Sequence, residues 1–124
     1  MKLEYLHEGS PDCPLIRLYE FDRSEASRLK DVFSNLAKRT TSNISLDAQP
    51  FITAVNNCRL GLTRGEHDIG IKGSGEVFEC VLTSEGWKAV EGLTEPFCET
   101  ELAGFQWLNE DGDVSLLLSP KGTW

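Results

Sequence analysis

The stretch that most resembles a reactive or metal-binding motif is EHDIGIK, residues 66–72, in which a histidine lies next to an aspartate. An imidazole nitrogen and a carboxylate oxygen both ligate divalent metals, so His67 and Asp68 are candidate metal ligands. Four glycines between positions 65 and 75 surround the pair, and each glycine inside a helix costs about 1 kcal/mol. The residues after Asp68 alternate between apolar and small or polar, as in a strand with one buried face. We therefore expect a surface turn that enters a strand.

A complete metal site would need more ligands than this stretch supplies. In HD-type phosphohydrolases the His-Asp pair lies on helices, and other helices contribute further His and Asp ligands. This chain has only two histidines, His67 and His7, and His7 falls in an expected N-terminal strand. We predict no metal site at His67, no catalytic residues and no cofactor.

A second group of oxygen ligands lies near the C-terminus, where Asn109, Asp111 and Asp113 occupy alternate positions as in calcium loops. Gly112 falls between the last two of these residues rather than after them, and no glutamate follows to close a coordination sphere. The Asp-Gly pair is typical of a β-hairpin turn, which accounts for all four residues.

The four cysteines, at positions 13, 58, 80 and 98, are widely spaced and contain no C-x-x-C pair. Cys98 lies among Glu95, Glu99 and Glu101, whose negative charge opposes formation of a reactive thiolate. We expect a cytoplasmic protein with reduced thiols, because a chain of this length does not need disulfides to fold. The alternative is a disulfide-bonded secreted protein, since an even cysteine count fits both.

Helical spacing is clearest over residues 23–39. Asp22 and Glu25 are placed to form a capping box, and an apolar stripe follows from Ala26 to Ala37. A shorter helix is expected over 84–94, capped by Ser84 and ended by Pro96.

Strand patterns cover 2–7, 15–21, parts of 44–72, and 76–83, and a C-terminal β-hairpin is expected around Asn109–Gly112. Because strands occur in neighbouring runs, we predict an α+β fold with a mainly antiparallel sheet packed by two helices.

At 124 residues, with 40% hydrophobic and 26% charged residues, the chain suits one globular domain spanning 1–124. The longest apolar run is only a few residues, far below the roughly 20 that span a bilayer. The first ten residues contain Glu4 and Glu8 and do not resemble a signal peptide. We expect no membrane association.

The charge is divided unevenly along the chain. Residues 1–72 hold ten acids and ten bases, whereas residues 73–124 hold ten acids and only Lys88 and Lys121, so the net charge of −8 belongs to the second segment. Such a charge disfavours nucleic acid. Loop-like parts of this segment carry seven candidate binding residues: Glu91, Glu95, Glu99, Glu101, Glu110, Asp111 and Asp113.

These features favour a soluble, non-catalytic binding module whose acidic C-terminal half engages a basic protein partner. The alternative is a small enzyme or small-molecule-binding domain whose cleft has no sequence signature. A homo-oligomer would form through Trp124 or a sheet edge, because a terminal tryptophan is expected to pack on a surface.

Overall fold

The computed structural model describes residues 1–99 and 103–124. Their helices are α1 (Arg23–Ala37), α2 (Ser84–Thr94) and α3 (Pro96–Glu99), with 3-10 turns at Leu46–Ala48 and Val55–Asn57. The strands are β1 (Lys2–Leu6), β2 (Leu15–Tyr19), β3 (Asn43–Ser45), β4 (Thr53–Ala54), β5 (Arg59–Arg64), β6 (Gly70–Ser74), β7 (Val77–Leu82), β8 (Gln106–Asn109) and β9 (Ser115–Ser119).

The first helix starts as its sequence predicts. The Asp22 carboxylate accepts a hydrogen bond from the Glu25 backbone N–H at 2.8 Å, and the Glu25 carboxylate accepts one from the Asp22 N–H at 3.2 Å. This capping box satisfies two N–H groups that the helix itself leaves unpaired. The helix ends at Ala37 rather than at the predicted residue 39, because Arg39 adopts a left-handed conformation with φ 63°.

The second helix has the predicted range, but its cap is one residue earlier. Thr83, rather than Ser84, accepts the capping hydrogen bond from the Gly86 N–H at 3.0 Å. The Ser84 hydroxyl donates instead to the Ala37 carbonyl at the end of α1. α2 ends at Thr94, just before Pro96, as predicted. Pro96 then opens the short helix α3, since proline fits the first helical position, where no N–H is needed.

The strands form two mixed sheets, with orders β4-β1-β2-β9-β8 and β3-β5-β7-β6. The α+β class is confirmed, but the prediction of a mainly antiparallel sheet is wrong. The pairs β1–β4, β2–β9 and β5–β7 are parallel. Side-chain alternation reveals which face a residue occupies and carries no information on the direction of its neighbour, so the sequence could not show this.

One buried cluster joins the inner faces of both sheets to one side of α1 and α2. At its centre the rings of Phe33 and Trp87 stack with centroids 5.8 Å apart. The Trp87 indole N–H donates to the Thr63 carbonyl at 3.0 Å, so this large side chain is buried with its polar atom satisfied. The two helices are thereby fixed against the second sheet.

The C-terminal hairpin is confirmed, with β8 antiparallel to β9. Gly112 does not have the positive φ that is typical of glycine in an Asp-Gly hairpin turn, and its small size serves another purpose. A Cβ at Gly112 would lie 2.3 Å from the backbone nitrogen and oxygen of Ile71 in β6. The Asp113 N–H donates to the Ile71 carbonyl at 2.9 Å, so the hairpin turn joins the first sheet to the second.

Candidate functional site

His67 and Asp68 lie in an exposed turn between β5 and β6. One Asp68 carboxylate oxygen accepts hydrogen bonds from the Thr83 backbone N–H at 2.8 Å and from the Thr83 hydroxyl at 2.9 Å. Because Thr83 caps α2, the aspartate holds the start of that helix. No group of three metal-ligating side chains occurs within residues 1–99 and 103–124.

The oxygen-rich hairpin turn is held by its own side chains. The Asn109 amide donates to the Asp111 carboxylate at 2.9 Å, and the Asp111 backbone N–H donates to the Asn109 side-chain oxygen at 3.0 Å. Asp113 lies 3.6 Å from the Lys72 ammonium on β6, with both side chains largely exposed. We call Glu110, Asp111 and Asp113 the turn acids.

A second acidic group, the helix-end acids, comprises three residues: Glu91 on α2, Glu95 between α2 and α3, and Glu99 at the end of α3. Lys30 of α1 lies 3.5 Å from the Glu95 carboxylate. The pKa of Lys30 is raised chiefly by Glu95, with a smaller contribution from Glu91. Glu99 is exposed and forms no ion pair with any residue of the described ranges.

Six of the seven predicted binding residues therefore fall into two groups on different elements. No hydrogen bond or ion pair within the described part of the chain links the turn acids to the helix-end acids. The hairpin strand β8 packs against α2, so neighbouring elements carry the two groups. Glu101 lies outside the described residues.

The two buried thiols, Cys58 and Cys80, are not activated as nucleophiles. Burial, with smaller contributions from the carboxylates of Asp111 and Asp68, raises the pKa of the Cys80 thiol to about 12. Burial likewise raises the pKa of Cys58 to about 11. Both thiols stay protonated near neutral pH, and all four cysteines are free.

Two clefts of similar size open on the surface. The first, of about 510 Å³, is the arginine cleft, lined by Arg39, Arg64, Gly65, Glu66, Thr83, Ser84 and Glu85. Its Arg64 guanidinium already donates to the carbonyls of Leu36 and Thr41. The lining contains two arginines and two glutamates, so its formal charges balance. This lining does not select one sign of ligand charge.

The second cleft, of about 530 Å³, is the aromatic cleft, lined by Ser10, Pro11, Asp12, Phe105, Trp107, Gly122, Thr123 and Trp124. Phe105 and Trp107 meet edge to face with centroids 6.5 Å apart. The Trp124 indole N–H donates to the Asp12 carboxylate at 3.0 Å, so Trp124 packs on the β1–β2 loop of its own chain.

Sequence reasoning missed the aromatic cleft. The sequence indicated only that Trp124 packs on a surface, and the residues around Asp12 and Trp107 form no motif that would indicate a binding site. The cleft lies at the first sheet's outer face, where the segment after β9 returns across β2. There the Arg17 guanidinium donates to the Gly122 carbonyl at 2.7 Å.

Comparisons of this chain with protein-family models, curated proteins and solved structures find no match. Among residues 1–99 and 103–124, no helix has the length and apolar content needed to cross a membrane.

Proposed function

We propose that this protein is a non-catalytic binding module that engages a basic protein partner through its acidic C-terminal segment. The supporting observation is that, among the described residues, most acids of the segment form no ion pair. Glu99, Glu110 and Asp111 are exposed and form no ion pair within the described residues. Carboxylates with no internal ion pair remain available to an external cation.

The ion pairs that do exist in this segment are weak constraints. Glu95 pairs with Lys30 and Asp113 with Lys72, and all four side chains are at least 32% exposed. Exposed pairs of this kind contribute about 0–1 kcal/mol, so a partner's cations can replace the internal ones at little cost. Both acidic groups can therefore contribute to one interface.

The proposal is tested by changing charge position at constant net charge. One variant carries Glu99→Lys, Glu110→Lys and Asp111→Lys. The matched control carries Glu8→Lys, Asp31→Lys and Glu66→Lys, three exposed acids of the charge-balanced segment 1–72. Both variants change the net charge by the same amount.

Proteins cross-linked to the wild-type chain at low salt are identified, and the purified candidates are titrated against all three proteins. We expect a basic protein whose affinity falls about tenfold or more in the first variant and much less in the control. Recovery of no basic partner, or equal loss in both variants, would overturn the proposal.

A further inference from the structure

We propose that the aromatic cleft binds an organic cation of the alkylated ammonium type. The inference does not rest on the acidic surface, because a different part of the molecule carries it. Five large apolar side chains of the described residues are 37% exposed or more, and two of them, Phe105 and Trp124, line this cleft. Their exposure leaves ring surface available to a ligand.

The cleft combines aromatic rings with one carboxylate, that of Asp12. Three aromatic side chains and Pro11 supply its walls, and Asp12 is the only ionisable side chain among the described residues that line it. A cation is attracted to the face of an aromatic ring by the ring's quadrupole, and tryptophan gives the strongest attraction. The Asp12 carboxylate adds a countercharge, so the lining favours cations over neutral or anionic ligands of the same size.

The same sheet face already holds a cation over an aromatic ring. The Arg17 guanidinium carbon lies 4.0 Å from the centroid of the Tyr19 ring, beside Gly122. Glu4 neutralises Arg17 at 2.6 Å, so this internal cation does not repel a ligand strongly. The surface around the cleft is therefore compatible with a second cation.

Hydration decides which cation fits. A bare ammonium is strongly hydrated, and the cleft offers few acceptors to replace its water: the Asp12 carboxylate, already bonded to the Trp124 indole, and the hydroxyls of Ser10 and Thr123. Alkyl groups on the nitrogen weaken that hydration and contact the rings directly. Such a group occurs on free quaternary ammonium compounds and on methylated lysine side chains.

The test compares choline with 3,3-dimethyl-1-butanol, in which carbon replaces the charged nitrogen at nearly constant shape. Binding to the full chain is followed by tryptophan fluorescence and calorimetry. We expect choline to bind about tenfold more tightly than the neutral alcohol. Equal affinities, or no choline binding at 20 mM, would overturn the proposal.

Two variants locate the site. Asp12→Asn keeps an acceptor for the Trp124 indole while removing the charge, so choline affinity should fall several-fold and that of the alcohol should not change. Asp31→Asn is the matched control for charge and should change neither. Trp124→Leu should weaken both ligands, with circular dichroism confirming that it folds. Equal effects of Asp12→Asn and Asp31→Asn on choline would contradict this location.

A third comparison separates the two sources of the cation. N-acetyl-trimethyllysine amide is titrated beside choline and beside the corresponding unmethylated lysine amide. Tighter binding of the trimethylated amide than of choline would assign the cleft to a protein side chain, and the reverse would assign it to a free small molecule. Tighter binding of the unmethylated amide than of both would contradict the proposed ligand class.

Discussion

Asp68 is a candidate metal ligand by sequence, together with His67, but its role in the structure is to hold the start of α2. Its carboxylate accepts two hydrogen bonds from Thr83, the residue that caps α2. We expect Asp68→Ala to lower the free energy of unfolding by about 1 kcal/mol, as loss of a helix cap does. His67→Ala, in the same exposed turn, should change it by less than about 0.5 kcal/mol.

Urea denaturation of the two variants measures both effects, and elemental analysis measures bound metal. Equal destabilisation by the two substitutions would contradict the capping role of Asp68. If the wild-type protein contains stoichiometric metal and His67→Ala does not, the hypothesis that His67 ligates a metal ion would be supported instead.

The thiols should differ in reactivity because their burial differs. Cys58 and Cys80 are buried, whereas Cys13 and Cys98 are partly exposed. We expect a thiol reagent at pH 8 to modify two cysteines quickly in the folded protein and all four after denaturation. Four equally fast thiols in the folded protein would show that the core around β5 and β7 is open.

Burial of Cys80 also predicts a pH dependence of stability. Its pKa rises from 9.0 to about 12, so the unfolded chain releases this proton at lower pH than the folded chain does. The stability from the buried, protonated thiol is therefore complete below pH 9 and is lost as pH rises toward 12.

We expect the free energy of unfolding between pH 9 and pH 11 to fall more steeply for the wild-type protein than for Cys80→Ala. Denaturant titrations at fixed pH values measure both slopes. Parallel slopes would show that the thiol keeps its ordinary pKa in the folded state.

At the scale of elements, the glycine of the hairpin turn joins the two sheets. A side chain at Gly112 would collide with the backbone of Ile71, which a small rotation cannot relieve. We expect Gly112→Ala to lower the free energy of unfolding by about 2 kcal/mol or more.

Gly92 is the matched control within α2. A Cβ there would have no atom within 4 Å, and alanine favours a helix over glycine. Gly92→Ala should therefore raise the free energy of unfolding by about 0.5–1 kcal/mol. Thermal unfolding distinguishes the two, and a Gly112→Ala midpoint equal to that of the wild type would contradict the close contact between sheets.

Elements fixed by local contacts were predictable from the sequence. Both main helices form nearly where their spacing places them, because a cap and its helix lie a few residues apart. The hairpin β8–β9 follows from its turn for the same reason. The parallel pair β2–β9 joins residues about a hundred positions apart, and no local pattern records such a contact.

At the scale of the whole molecule, the sequence shows how much charge each segment carries and not how that charge is distributed in space. It indicated that residues 73–124 are acidic, but not that the six described candidate binding acids divide between the hairpin turn and the helix ends. The aromatic cleft was unpredictable for the same reason, because Asp12 and Trp124 meet only through the fold.

The proposed acidic interface also predicts kinetics that depend on salt. Association steered by charge slows as the screening length shortens from about 30 Å at 0.01 M salt to about 8 Å at 0.15 M. With the purified basic partner, we expect the wild-type association rate to fall about tenfold or more over this range.

The most direct test of the acidic interface is the stopped-flow association rate of that partner with the two charge-reversal variants at low salt. Reversal of Glu99, Glu110 and Asp111 should lower the association rate about tenfold or more and change the dissociation rate much less, because these charges act before contact. Reversal of Glu8, Asp31 and Glu66 should leave most of the wild-type rate. An association rate unchanged by the first reversal, or lowered equally by both, would contradict the claim that the acidic segment is the binding surface.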